Sequence, residues 1–263
     1  MIALYLKTWR DHWKTLLAWS ITLVALVSIQ MSIYPSISKN KSSLEQFLNS
    51  YPEAIRKIFR MQDYTSGPGF LSTELYSMMV PLVLIAVGST WGASATAEEE
   101  DEGTADLLLT LPISRTQILI AKISAALSVI ILLGLLAAGN IIALRGVVHL
   151  DISLDKLFAG TVSSISLAFF FTGISFLAGA MSRRKGTAVG VVTGLALITL
   201  LIYSLAALVD NFNSIIPYNP MQWALGNNPL FNGIEVTGIL KLLSGTFAFL
   251  ALAILVFDRK DIS

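Results

Sequence analysis

The sequence predicts an all-α polytopic membrane protein: six transmembrane helices, an N-terminal interfacial helix, and a water-facing segment of unusual chemistry between the second and third spans. Three observations predict it. Hydrophobic residues make up 54% of the 263 residues and charged residues only 13%, about half the charged share of an ordinary soluble domain. The apolar residues gather into six runs, each near the roughly 20 helical residues needed to cross hydrocarbon. Between the second and third runs stand five consecutive carboxylates, Glu98, Glu99, Glu100, Asp101 and Glu102. Each would cost at least about 2.5 kcal/mol in the bilayer interior, so this segment faces water.

In chain order, residues 1–14 put Ile2, Tyr5, Leu6, Trp9 and Trp13 on one helical face, with Lys7, Arg10, Asp11 and Lys14 around the rest. A helix lying in the headgroup layer has this pattern, and so does a cytoplasmic extension of the first span; both readings stand. No small-residue cleavage pattern follows, so span 1, residues 15–34, is read as retained and as ending at Pro35. Residues 36–74 form the longest polar insert. Leu44, Phe47, Leu48, Tyr51, Ile55, Ile58 and Phe59 recur there as one or two amphipathic helices broken at Pro52. Thr65 to Gly69 reads as a turn leading into span 2, residues 75–96, which Pro81 kinks.

Span 3, residues 118–144, follows the acidic segment at 97–116. Its start is marked by Ser114 and Gln117, which have the spacing of a capping box. A short loop at 145–156 leads to span 4, residues 157–181, and Arg183, Arg184 and Lys185 make a tight basic turn. Span 5, residues 187–209, opens with Gly186, Gly190 and Gly194, whose spacing exposes backbone on one face and permits close helix packing. Residues 210–238 carry Pro217, Pro220 and Pro229 with Tyr218, Trp223 and Phe231, a pattern of broken helices at the outer interface or of a re-entrant segment. Span 6 covers residues 239–257.

Charge placement predicts orientation. With both termini cytoplasmic, Lys7, Arg10, Lys14, Arg115, Lys122, Arg183, Arg184, Lys185, Arg259 and Lys260 lie inside, ten of the 18 basic residues. The basic turn at 183–185 lies directly between two spans, where the positive-inside effect is strongest.

Several chemistries are excluded. The chain has no cysteine and only two histidines, His12 and His149, so thiolate chemistry and an all-His zinc site within one chain are out. No Asp, Glu, Arg or His occupies the centre of a predicted span, and Lys122 is close enough to an end to snorkel. A proton relay is therefore missing, which argues against a proton-coupled carrier. Sodium coordination by backbone carbonyls stays open, so an ion-coupled secondary transporter is retained as an alternative, together with a non-transporting sensor or scaffold. Neither metalloprotease nor nucleophile-elbow motifs occur, and Asp151 and Asp155 read as solvated or capping acids. There is no P-loop, so any ATP used in transport binds another polypeptide. This chain is expected to bind no metal, cofactor or nucleic acid of its own.

The segment from Glu98 through Gly103, Thr104, Asp106, Leu107, Leu108, Leu111, Pro112, Ser114 and Arg115, followed by Lys122, resembles a motif of ABC-2 type permeases. These are the membrane subunits of bacterial ABC exporters whose ATPase is a separate protein. A second match is Gly67 to Tyr76 before span 2, with Pro81 beyond it. The resemblance implies two six-span subunits, as homodimer or heterodimer, above two ATPase subunits that carry ATP and Mg, in the bacterial cytoplasmic membrane. It implies that residues 1–14 are an interfacial helix and that Thr104 to Leu111 is a coupling helix seated in the ATPase. Spans 2 and 5 would line the substrate route, with 210–238 forming an outer gate-like region.

The physical chemistry of the segment stands beside that resemblance. Gly103 can release the acidic helix, Thr104 can cap the next one, and Asp106 falls in its first turn, where negative charge is favourable. Leu107, Leu108 and Leu111 share a face that a protein partner would cover; lipid or the ends of spans 2 and 3 are the other covers available. The absence of buried charge points to an amphipathic or apolar cargo such as a drug, antibiotic, peptide or lipid. Asn140, Ser175 and Tyr203 are candidate polar contacts on its route, although such residues often bond only to neighbouring helices.

Overall fold

The structure is a computed structural model that describes residues 1–52, 55–56, 63–101, 114–182, 184–206 and 208–259; the side chains of Glu98, Glu99, Glu100 and Asp210 are outside that description. Among the described residues all regular structure is helical. α1 is Ile2–Asp11, α2 Trp13–Lys39, α3 Lys41–Asn49, α4 Gly67–Leu71, followed by a π turn over Ser72–Tyr76, and α5 Met79–Asp101. Then come α6 Arg115–Arg145, α7 Leu154–Met181, α8 Lys185–Leu205, two 3-10 turns at Asp210–Ser214 and Ile216–Tyr218, α9 Pro220–Leu225, α10 Pro229–Asn232 and α11 Val236–Arg259. Among the described residues, six helical stretches are long and apolar enough to cross a membrane: α2, Gly67–Ala97, α6, α7, α8 and α11. The chain is an all-α polytopic membrane protein. Successive spans alternate in direction, so the N-terminal helix, the acidic end of α5, the end of α7 and the start of α8 share one end of the bundle, called here the near end. Residues 40–52, 55–56, 63–66 and 208–235 lie at the far end.

α7 is the axis of the bundle. Its apolar window is 67% buried inside the chain and that of Gly67–Ala97 is 56% buried, against 17% for each of α2, α8 and α11. Small residues allow this. Gly88 and Gly92 of α5 abut Thr172 and Ser175 of α7, and Gly179 of α7 abuts Ala93 and Thr96 of α5. Close approach of backbones is the main source of helix attraction in lipid, where apolar side chains gain little by leaving equally apolar tails. The hydroxyls that enter this seam are largely satisfied within it. Thr161, Ser164 and Thr172 donate to the carbonyls of Leu157, Gly160 and Ala168 at 2.8, 2.9 and 2.7 Å.

Several boundaries differ from the sequence expectation. α2 runs through Pro35 to Lys39, because a proline removes one hydrogen bond and bends a helix without having to end it when the next turns pack. The second span begins at Gly67 rather than near Leu75. Ser66 caps α4, its Oγ accepting from the Gly69 N–H at 3.1 Å, and Pro68 occupies the first turn, where its missing N–H costs nothing. A side chain at Gly67 would collide with the Asp151 carbonyl, and one at Gly69 with that of Asp63. Both glycines are there to let backbones meet. Just upstream of Pro81, where the sequence predicts a kink, the α-helical ladder is interrupted by the π turn. The Ser77 N–H reaches back five residues to the Ser72 carbonyl at 2.8 Å, and α5 starts afresh at Met79. α8 ends at Leu205, earlier than the predicted 209.

At the far end the proline-rich segment folds onto α7, α8 and α11. Buried Asn219 donates from Nδ2 to the Thr199 carbonyl of α8 at 2.8 Å and accepts the Met221 N–H at 2.8 Å. Thr199 lies six residues inside the end of α8, about 9 Å along its axis. Trp223 donates to the Pro217 carbonyl at 2.7 Å and sets its ring edge-on to Phe170 of α7, centroids 6.0 Å apart.

Candidate functional site

The near end is where the sequence concentrated its candidate residues, and three ties organise it. First, α1 is clamped to the bundle. Tyr5 donates from its hydroxyl to Ser128 Oγ of α6 at 3.0 Å, and Trp9 Nε1 donates to the same oxygen at 3.2 Å. Ser128 Oγ in turn donates to the Ala125 carbonyl at 2.8 Å, which uses up its bonding capacity. Trp9 also meets Trp91 of α5 edge-on at 6.5 Å, and His12 lies 5.0 Å from the same indole. The amphipathic helix therefore grips α5 and α6, the two helices that flank the acidic segment.

Second, Lys122 joins these two helices directly. Its Nζ donates to the Ala95 carbonyl of α5 at 3.1 Å. A lysine near the C-terminal turns of a helix interacts favourably with carbonyls and with the negative end of the helix dipole. Third, Asp101 Oδ2 accepts the N–H of Lys185, the first residue of α8, at 3.4 Å. A carboxylate suits this helix start, since its first four N–H groups lack partners within the helix.

The predicted capping box at the start of α6 is present. Gln117 donates its N–H to Ser114 Oγ at 3.2 Å, and the Ser114 N–H donates to Gln117 Oε1 at 3.3 Å. Arg115 is the first residue of α6. Glu102, Gly103, Thr104, Asp106, Leu107, Leu108, Leu111 and Pro112 lie outside the described residues, as does Arg183, and so do the side chains of Glu98, Glu99 and Glu100. Gly186, Gly190 and Gly194 are described and face open space: beyond the local helix backbone, no atom of the described residues lies within 4 Å of a Cβ added there.

The three candidates for a substrate route are not gathered into one site. Asn140 Nδ2 donates to the Val24 carbonyl and to Ser28 Oγ, both at 3.0 Å, stapling α6 to α2. Ser175 is fully buried and donates to the Ser89 carbonyl at 2.6 Å, stapling α7 to α5. Asn140 lies toward the far end of α6 and Ser175 toward the near end of α7, while Tyr203 is partly buried near the far end of α8.

Sequence reading missed one polar site. Because the second span starts at Gly67, Glu74 falls inside a membrane-length helix, in the π turn. Its Oε1 accepts the Tyr64 hydroxyl at 2.7 Å and its Oε2 accepts Gln30 Nε2 of α2 at 3.4 Å. Gln30 Nε2 also lies 3.6 Å from Met79 Sδ. Burial, then the hydrogen bond and charge of Glu74, hold the Tyr64 hydroxyl pKa above its usual value. The signal that would have found this site was Ser66 with Pro68 just inside, a helix-start signature that outranks the reading of a turn. Among the described residues, no three His, Asp or Glu side chains converge as a metal site.

Comparison with known proteins places the six apolar helices in a family. The model of the ABC-2 family transporter proteins matches residues 2–262. The chain is 27% identical over 190 residues to the probable ABC transporter permease protein NosY of Stutzerimonas stutzeri, and 28% identical over 185 residues to the protein of the same name from Pseudomonas aeruginosa. Each match covers 66% of this chain and 66% of the relative, just under two thirds of its length. The chain belongs to the ABC-2 family of transporter proteins.

Proposed function

We propose that this chain is the non-catalytic membrane subunit of an ATP-driven exporter, working with a second permease subunit and two separate ATPase subunits in the bacterial cytoplasmic membrane, with both termini cytoplasmic. Family membership across residues 2–262 carries the reading, and the near-end geometry supports it. Residues 102–113 connect helices α5 and α6, which Lys122 ties together and α1 grips from the side. A push on that segment would reach α5 and α6 as a unit, and the Asp101 contact would pass it to α8. Nucleotide-dependent contacts in the ATPase would then bias two packings of the spans, and the permease itself would perform no covalent chemistry.

In this proposal Leu107, Leu108 and Leu111 form the apolar face that enters the ATPase, and Glu98 to Glu102 set its electrostatic register. The open face of Gly186, Gly190 and Gly194 on α8 receives the second permease subunit. Cargo is amphipathic or apolar, moved from the cytoplasmic side.

Replacing Leu108 by Asp tests the coupling face. It should abolish ATPase co-purification or substrate-stimulated hydrolysis while membrane insertion persists, because an unpaired carboxylate would be buried in the interface. Glu100→Gln should be milder, since neighbouring acids keep most of the field. Normal assembly and coupled transport in Leu108→Asp would overturn the apolar coupling face. Orientation is tested separately. The chain has no native cysteine, so a cysteine introduced at Arg184 should resist impermeant reagents in intact cells.

A further inference from the structure

Glu74 has surroundings that a purely structural carboxylate does not need. Both of its oxygens act as acceptors, and the two donors, Tyr64 and Gln30, are neutral. Among the described residues no cationic side chain is paired with it. A carboxylate has room for about four hydrogen bonds, so acceptor capacity remains. The backbone that presents it is a π turn, a local widening that recurs at functional positions in helices. An ionisable residue within a membrane-length helix is expensive enough to call for a functional reason.

Gln30, one of the two donors, also ends an apolar trough on α2. Ile21, Thr22, Ala25, Leu26, Ile29 and Gln30 line a concavity of about 450 Å³, open to the surroundings of the bundle. The nine-residue rise from Ile21 to Gln30 is about 14 Å along the helix, on the scale of an extended dodecyl chain. Gln30 and Glu74 lie on the far-end side, nine residues from the end of α2 and seven from the start of the Gly67–Ala97 stretch, while Ile21 lies eight residues from the near end of α2. A molecule in this trough would run across the middle of α2 with its head on the far-end side, against Gln30.

We propose that the α2 trough and the Gln30, Glu74 and Tyr64 cluster bind an amphipath with one alkyl-like tail and an ammonium head, the tail against Ile21, Ala25 and Ile29 and the head against Glu74. This names the charge of the cargo and rests on the exporter reading given above. Tyr64 and Gln30 each hold one oxygen of the carboxylate, and Gln30 also borders the trough. A cationic head supplies the one interaction that Glu74 lacks among the described residues, while an anionic head would be repelled.

The test uses full-length permease in phosphatidylcholine nanodiscs and a fluorescent dodecylammonium probe followed by anisotropy, with dodecyl sulfate and dodecanol as competitors below bilayer-perturbing concentrations. Wild type should bind the ammonium probe in preference to the sulfate. Glu74→Gln, which keeps the shape and one acceptor, should weaken the ammonium probe by at least about tenfold and leave dodecanol unchanged. Ala25→Phe, at an exposed position, should weaken both by filling the trough. Equal binding of sulfate and ammonium, or unaltered affinity in Glu74→Gln, overturns the proposal. So does conversion of a dimer to monomer by Ala25→Phe with probe binding intact, since the trough would then be an interface between copies. Adding the ATPase separates this from the exporter reading. ATPase stimulation by neutral amphipaths, with no effect of Glu74→Gln on ammonium binding, overturns the site and leaves the exporter standing. Glu74-dependent ammonium binding in a permease that associates with no ATPase supports the site and overturns the exporter.

Discussion

Two glycine-bearing faces of this bundle share a four-residue spacing and meet opposite fates. On α5, Gly88 and Gly92 press against Thr172 and Ser175 of α7, so closely that a side chain at either position would displace its neighbour. On α8, Gly186, Gly190 and Gly194 have the longer and more regular repeat, and among the described residues nothing beyond their own helix approaches them. Spacing alone therefore shows that a helix can be approached closely; it does not show by what. The α5 face was spent on building the subunit. In the reading proposed above, the α8 face takes the second permease.

The largest expected effect breaks the buried face. Gly92→Leu should lower stability by about 3 kcal/mol or prevent recovery of folded protein, since an added Cβ alone would sit 2.9 Å from Ser175 Cβ. Thermal unfolding of purified permease measures this, and an unchanged melting temperature would mean the seam is looser than described. Gly190→Leu makes the complementary change. Subunit stability should stay within about 0.5 kcal/mol of wild type, while native mass measurement should show loss of the permease dimer. A destabilised subunit with its dimer intact would reverse the assignment of the two faces.

Smaller effects sharpen the comparison. Pairing Gly92→Ala with Ser175→Gly should restore part of the stability that Gly92→Ala loses, a coupling expected only where the two residues share one space. Asn140→Leu removes the staple between α6 and α2 and should cost about 1 kcal/mol, in line with hydrogen bonds between membrane helices. Asp101→Asn is the mildest. Its contact with the start of α8 is long and exposed, so only a few tenths of a kcal/mol are expected. If the near end transmits motion, that variant should still reduce coupling of ATPase activity to cargo, which a purely local cap would not do.

The candidate site was legible in uneven pieces. Ser114 and Gln117 could be read as a capping box from the sequence because the interaction is closed within four residues of chain. Lys122 could be placed near a span end, although its partner, the Ala95 carbonyl, is 27 residues away and no local pattern names it. Asn140 and Ser175 illustrate the same limit. Their polarity made them candidates for cargo contact, and only the packed helices reveal that their hydrogen bonds go to α2 and α5. Glu74 escaped for a different reason. A proline and two glycines looked like a turn, while the protein uses them to start a helix and to let backbones touch.

What the sequence determined by itself is the set of six apolar spans, the water-facing acidic segment and the basic turn, together with the helix start at Ser114. These depend on transfer of residues from water to hydrocarbon and on bonds within one turn of chain, both of which are nearly additive and local. The tertiary structure alone decided which helix is the axis, which glycines are buried, and which polar side chains are spent on neighbours. In lipid a helix is apolar on all sides, so its pattern does not separate a face that meets another helix from one that meets lipid. The difference lies in shape, in whether Gly88 finds Thr172 or Gly190 finds open space, and shape becomes definite only when the helices are packed together.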